Sequence, residues 1–231
     1  MATRFYLPNS GAADVSPTAN ASFAITTGFD RVKLQHKNDT DTPITTLTDK
    51  TLSTVITTSQ SYLNRMFVSE PMLPYRFTTQ SIFSIVNRGL TSVTTVNGHL
   101  AYSLRVMSND GLTSRGTLAS NFAAATVYVA SAATRIFGNG TTTVACTAVT
   151  MQSGDRLVLE VGVFCNAPTT VGTATQRFGN SATSDFALTN ALTTDLNTWF
   201  ELSDDLFTPN NNNYRGVKVG NNMSTSSGRI M

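Results

Sequence analysis

Few residues in this chain are of types that do covalent chemistry. It has two histidines, His36 and His99, two cysteines, Cys146 and Cys165, and the glutamates Glu70, Glu160 and Glu201. A nucleophilic triad needs a histidine beside a serine or cysteine and an acid, and the G-x-S-x-G elbow that presents such a serine does not occur. Neither C-x-x-C nor H-x-x-x-H spacing is present, so no zinc site is expected. Asp39, Asp41 and Asp49 fall in one stretch and Asp204-Asp205 in another, but neither has the glycine-turned pattern of a calcium loop. Both read as solvated loops. A glycosidase needs two carboxyls facing across a cleft. Glu160 lies between core-facing positions of a predicted strand and is expected to point outward, with no partner glutamate in sight. Gly138-Asn139-Gly140 reads as a turn, since no helix or Lys-Ser/Thr follows to cradle a phosphate. The expectation is a protein that is not an enzyme and carries no cofactor or metal.

A glycan-binding module is the rival that would still use chemistry. It would present exposed aromatic rings to sugar faces. The candidates are Tyr62, Tyr75, Tyr128, Phe137 and Tyr214, while Trp199 is expected in the core.

The elements that must position these residues follow from composition and pattern. Only 13% of the 231 residues are charged, about half the usual share. About one residue in six is Thr, which suits a pleated strand and keeps an exposed face wet. Such a surface meets other surfaces cheaply, because hydroxyls and amides cost less to desolvate than charges. Net charge is +2 with no Lys/Arg run. Arg31, Lys33, His36 and Lys37 read as a solvated strand edge, so no nucleic-acid partner is expected. The opening MATRFYLPNSG lacks the apolar core of a signal peptide, and no apolar stretch is long enough for a membrane helix. Assembly in a cytosol, away from membranes, is expected.

Alternation places Leu100, Tyr102, Leu104 and Val106 on one face of a strand and Ala101, Ser103 and Arg105 on the other, the pattern of a half-buried strand. Asn109-Asp110-Gly111 predicts a hairpin to a return strand over Leu112–Ala119. Gln152-Ser153-Gly154-Asp155 predicts a second hairpin, pairing Thr142–Val149 with Arg156–Phe164. In that register Cys146 faces Val161, and Cys165 lies about 13 Å further along. That exceeds disulfide reach, so both cysteines read as small core residues. Further strands are predicted over Ser22–Thr26 and Arg31–His36 (split at Gly28), Leu52–Thr58, Arg65–Ser69, Ser81–Val86, Thr173–Phe178 and Trp199–Leu202. Ala123–Ala133 is ambiguous between strand and helical turn.

The fold expected is all-β: a two-sheet antiparallel β-sandwich, jelly-roll-like, of about nine to eleven short strands. Residues 1–20 form an extended N-terminal arm, able to add as an edge strand through Arg4–Pro8. Residues 21–208 form the sandwich domain. Residues 209–231, opening on Pro209 and four asparagines, form an extended tail with little to bury.

Several stretches are similar to a widespread family of bacteriophage structural proteins. They are Arg4-Phe5-Tyr6-Leu7-Pro8-Asn9-Ser10-Gly11 with Val15-Ser16-Pro17; Arg105 to Gly111; Gly154 to Gly162; and Arg177 to Asp185, followed by Thr193 to Trp199. The resemblance spans about residues 1–205. It departs from the family pattern at Thr198, where a proline usually precedes the tryptophan, and in the Asn-rich tail. It implies a virion component on a β-sandwich, with no activity to carry over. The function expected is a capsid decoration or cement protein docked on the major capsid protein, assembled in the host cytoplasm and oligomeric with itself. A tail, neck or fibre component is the alternative. Partner-binding residues are expected at the two ends: Phe5 and Tyr6, and Tyr214, Arg215, Val217 and Val219.

Overall fold

The computed structural model describes residues 2–36, 48–52, 58–91, 97–122, 135–138, 143–166, 173–179, 185, 187–188 and 197–206. Ala123–Ala133 and the tail 209–231 lie outside these residues, as do most of the 39–49 aspartate loop and residues 53–57 of the strand predicted over Leu52–Thr58.

Everything regular in the described residues is β-structure. The strands are β1 (Thr3–Tyr6), β2 (Phe23–Lys33), β3 (Gln35–His36), β4 (Thr48–Leu52), β5 (Gln60–Val68), β6 (Tyr75–Arg76), β7 (Ile82–Thr91), β8 (Asn97–Met107), β9 (Ser114–Asn121), β10 (Arg135–Gly138), β11 (Val144–Ala145), β12 (Thr150–Met151), β13 (Arg156–Asn166), β14 (Ala174–Phe178) and β15 (Trp199–Leu202). They form an eight-stranded sheet, a five-stranded sheet ordered β2-β5-β13-β8-β9, and a ribbon of β6 and β12. All pairs are antiparallel except β2 with β5, which is parallel.

The eight-stranded sheet is built around β7. One edge of β7 pairs with β15 and then β14, end to end. Its other edge pairs with β11 and then β10. β1 lies inside this sheet between β15 and β3, so the predicted edge arm is an interior strand. Leu7 extends the pairing: its N–H donates to the Thr198 carbonyl, and its own carbonyl accepts from Gly179.

The two sheets face one another over one apolar core. Leu157, Leu159 and Val161 of β13 and Leu100, Tyr102, Leu104 and Val106 of β8 meet Phe5, Phe83, Ile85, Phe178, Phe200 and Leu202 from the opposite sheet. Phe83 and Tyr102 bring their rings to 5.1 Å across the interface, and Phe67 and Phe178 to 5.2 Å. Each such aliphatic or aromatic side chain contributes about 1.5–3 kcal/mol by burial.

The hairpin at Asn109–Gly111 forms as predicted, with Gly111 at φ 74° and β8 pairing β9. The second predicted hairpin does not. Gly154 turns the chain at φ 85°, but β12 pairs with β6 and β13 runs between β5 and β8. Gly28 does not split its strand either, because β2 is continuous with a register shift between Ile25 and Asp30. β13 also shifts register, between Val161 and Gly162. A Cβ at Gly162 would lie 2.0 Å from the Tyr62 carbonyl oxygen, so only glycine fits there.

Candidate functional site

The strand predicted as half-buried over Leu100–Met107 is buried on both faces, and so are most of β5 and β13 in the five-stranded sheet. On the outer face of that sheet Ala101, Ser103, Val158 and Glu160 are fully buried and Arg105 nearly so. The cover is the segment from Pro8 to Asn20, which leaves β1, crosses from one sheet to the other and lies over the outer face. Ala13, Val15 and Ala19 sit on a floor of Met66, Val68, Met107 and Val158, and Ala19 also reaches Leu63, Ala101 and Phe23.

Polar contacts fasten this strap, and four arginines supply most of them, one from each of four strands. Arg65 of β5 donates through Nη1 to the Pro8 and Asn9 carbonyls, at 3.3 and 3.1 Å. Arg31 of β2 donates to the Pro17 carbonyl at 3.2 Å. Arg105 of β8 donates to the Thr18 carbonyl at 2.6 Å. Arg156 of β13 grips Asp14 with two bonds of 2.8 Å, and also donates to the Asn109 and Ser69 carbonyls. Backbone bonds from Ala13 N–H to Arg31 and from Lys33 N–H to Gly11 add a short antiparallel bridge at Ala12 and Val32.

Glu160 is the deepest charge beneath the strap, fully buried. Arg105 donates to both its oxygens, at 3.1 and 2.9 Å, and the Asn20 N–H donates to it at 2.5 Å. Burial raises the Glu160 carboxyl above its ordinary range, and Arg105 and the Asn20 N–H work against that rise. The expectation that Glu160 points away from the core holds for direction but not for exposure. Burial likewise lowers the Arg65 guanidinium, against the pull of Asp30.

A second latch, made by β1 side chains, lies on the outer face of the eight-stranded sheet. Arg4 stacks over the Trp199 ring at 3.9 Å and donates to Asp185 at 2.7 Å and to Glu201 at 2.9 Å. Asp185 also accepts from the Tyr6 hydroxyl and the Asn197 amide, each at 3.0 Å. Trp199 is buried, with Val86, Tyr6 and Leu188 around it.

These latches include several residues of the stretches singled out in the sequence. Arg4, Tyr6, Pro8 and Pro17 come from the opening motif, Arg105 and Asn109 from the second, Arg156 and Glu160 from the third, and Asp185, Asn197 and Trp199 from the last. Sequence reading found these residues but took them for turns and strand edges. No periodicity marks a strap of Ala, Val, Ser and Pro as the lid of a sheet.

The expected partner-binding residues are placed as follows. Phe5 is corrected: it is 2% exposed and stacked on Phe200 at 4.9 Å, so its ring belongs to the chain's own core. Tyr6 is half-buried in the Asp185 latch. Tyr214, Arg215, Val217 and Val219 lie outside the described residues.

The candidate chemical residues are dispersed. His36 is in β3, edge-on to Phe5, while His99 is buried in β8 of the other sheet beside Phe164. Cys146 and Cys165 are buried free thiols, each pushed up to about 12, chiefly by burial. A thiol with so high a pKa holds almost no thiolate at neutral pH and is a poor nucleophile. Asp204 accepts from the Tyr75 hydroxyl at 2.7 Å and from Ser81 at 3.0 Å, and this acceptor pushes the tyrosine up to about 12. Among the described residues no group of three His, Cys, Asp or Glu side chains is arranged to hold a metal. Among the glycan candidates, Tyr62 is buried beside Val163 and Cys165, and Tyr75 packs edge-on to Phe77. No side-chain description covers Tyr128, Phe137 or Tyr214. No helix among the described residues is long and apolar enough to cross a membrane.

No protein-family model matches the chain, and no curated protein matches it. Among solved structures it is similar to a CocE/NonD family hydrolase from Staphylococcus aureus, with a TM-score of 0.46 and 9% identity over 90% of this chain. The match covers 37% of the hydrolase, so this chain spans well under half of that protein's length. A second structure of that hydrolase gives a TM-score of 0.42 at 8% identity, covering 88% of this chain and 36% of that one. A structure of infectious bursal disease virus, Gx strain, matches at a TM-score of 0.19 and 11% identity, covering 91% of this chain and 61% of that one. Likenesses this distant carry no function across.

Proposed function

We propose that this chain is a structural component of a bacteriophage virion, a capsid decoration or cement protein that docks on the major capsid protein. One observation carries the reading. Several residues of the stretches that resemble the phage family, Arg4, Arg105, Arg156, Glu160 and Asp185 among them, help to fasten the N-terminal segment. The family signature is thus in part a fastening, and a self-fastened sandwich with few surface charges suits a building block. The low charge supports the same reading, since a Thr-rich surface is cheap to desolvate against a shell. Residues 209–231, with Tyr214, Arg215, Val217 and Val219, are the segment proposed to reach a neighbouring virion protein, by strand addition that needs few particular side chains.

Antibody labelling of intact particles tests the proposal. Label spread over the heads, and kept on tailless particles, is expected. Label confined to tails would transfer the chain to a tail, neck or fibre role. Its absence from purified particles would overturn the virion reading.

A further inference from the structure

We infer that residues 2–20 form an exchangeable unit, and that the socket holding them also accepts the same segment of a second copy of this chain. The inference deepens the proposed virion role, on which it rests, since a shell holds copies side by side. Three features of the segment point to it.

Its contacts are remote. Apart from the Asn20 turn, in which the Phe23 N–H donates to the Asn20 carbonyl and the Ser22 N–H to the Asn20 side chain, the partners are Phe23 beside Ala19 and residues from Phe29 to Leu206. The segment joins the body at one turn, which is the hinge an exchange requires.

Its socket reads backbone. Arg65, Arg31 and Arg105 bind the carbonyls of Pro8, Asn9, Pro17 and Thr18. Only Asp14 is gripped through its side chain by an arginine of the socket. The strap's other inward residues are the small Ala13, Val15 and Ala19, the buried Pro8 and Pro17, and Asn20, whose amide donates to Ser103. A second copy of this chain supplies the acid, the small residues and prolines, Asn20, and the Phe5 and Leu7 that the socket buries.

β1 and the strap must move together. β1 fills a slot between β3 and β15, and the strap follows without a break. Exchange therefore gives Phe5 and Tyr6 a route to a partner that their burial otherwise denies them. In the exchanged form each contact is recovered on the neighbouring body, so the balance is set by hinge strain and local concentration.

The test uses the full chain. The bonds flanking Ala12 and Val32 make them a non-hydrogen-bonded antiparallel pair, whose Cα atoms stand about 4.5 Å apart, within disulfide range. One population carries Ala12→Cys and another Val32→Cys. They are unfolded, mixed, refolded together over a range of concentrations and oxidised. A mixed disulfide dimer whose yield rises with concentration is expected. The double variant, Ala12→Cys with Val32→Cys in one chain, controls for folding and thiol geometry. Crosslinking only within that double variant would overturn the exchange. So would equal crosslinking of Ala12→Cys to chains carrying Leu112→Cys, a residue 70% exposed in the Asn109 hairpin. A second pair guards against a Val32→Cys chain that does not fold. Asp14→Arg and Arg156→Glu each lower the melting temperature, and refolding them together restores it in a dimeric fraction; no restoration counts against exchange. Failure of these tests with heads still labelled by antibody would remove the exchange alone, whereas absent label with mixed dimers formed would remove the virion reading.

Discussion

The two faces of the five-stranded sheet are buried by different means. The inner face meets the opposite sheet through interlocking apolar side chains. The outer face meets its own N-terminal strap through arginines, a buried glutamate and a few small residues. Apolar packing tolerates only matched shapes, but it loses little if one contact loosens. A buried charge demands its partner, because an unpaired ion in a dry site costs about as much as a large cavity or somewhat more. The outer face is therefore the more brittle of the two, even though it carries the more polar residues.

Breaking the outer face should produce the largest effect. Arg105→Met leaves Glu160 buried without its counter-ion and should cost about 3–5 kcal/mol in urea unfolding. Adding Glu160→Leu to the same chain should recover most of that loss. A cost under about 1 kcal/mol for Arg105→Met alone would mean that water reaches Glu160 and that the strap does not seal the face.

Breaking the inner face should come next. Leu159→Ala opens a cavity between the sheets and should cost about 2–5 kcal/mol by the same measurement. Unlike the loss at Arg105, this one should not be rescued by any second change under the strap.

Acidity sharpens the contrast. The folded state raises the Glu160 carboxyl above its ordinary value of 4.5. For an acid, a raised value means that the fold prefers the neutral form. Its contribution is fully present below pH 4.5 and is lost as pH rises through the folded value. Relative to Glu160→Gln, the unaltered chain should thus be at its most stable in mild acid and lose ground toward neutrality. Urea midpoints of both chains across that range check the sign, and parallel midpoints would show that Glu160 does not titrate between the two states.

The smallest effect belongs to the rim of the strap. Asp14 is 59% exposed, and Asp14→Asn should cost about 0–1 kcal/mol in global stability. It should nevertheless speed amide hydrogen exchange at Ala13 and Lys33, the bonds on either side of the bridge, since local opening needs only part of the strap to lift. Truncation after Phe207 should leave both faces intact, with an unchanged melting temperature, and weaken particle binding.

How much of this was legible in the sequence depended on the range of the signal. Alternation gave the inner and outer residues of β8 correctly, because a period of two is local. The turn at Asn109–Gly111 brought its neighbours together because a tight turn leaves them no choice. The turn at Gln152–Asp155 was real, yet the strands on either side joined different partners. A turn reverses the chain but does not decide what lies opposite. The parallel pairing of β2 with β5 and the insertion of β1 beside β15 left no local trace. Most of all, alternation tells which way Arg105 and Glu160 point but not what covers them. The latch draws on residues far apart in sequence, and only the fold brings them together.

The pairing of β1 with β15 has a consequence in time. Thr3 lies opposite Leu202, so the slot for the first strand is completed only when the last is made. At roughly 5–20 residues per second, synthesis separates the two by about 10–40 s. Throughout that interval β1 has the short β3 on one side and nothing on the other. On a message carrying several ribosomes, the nearest strand to fill that side need not come from the same chain.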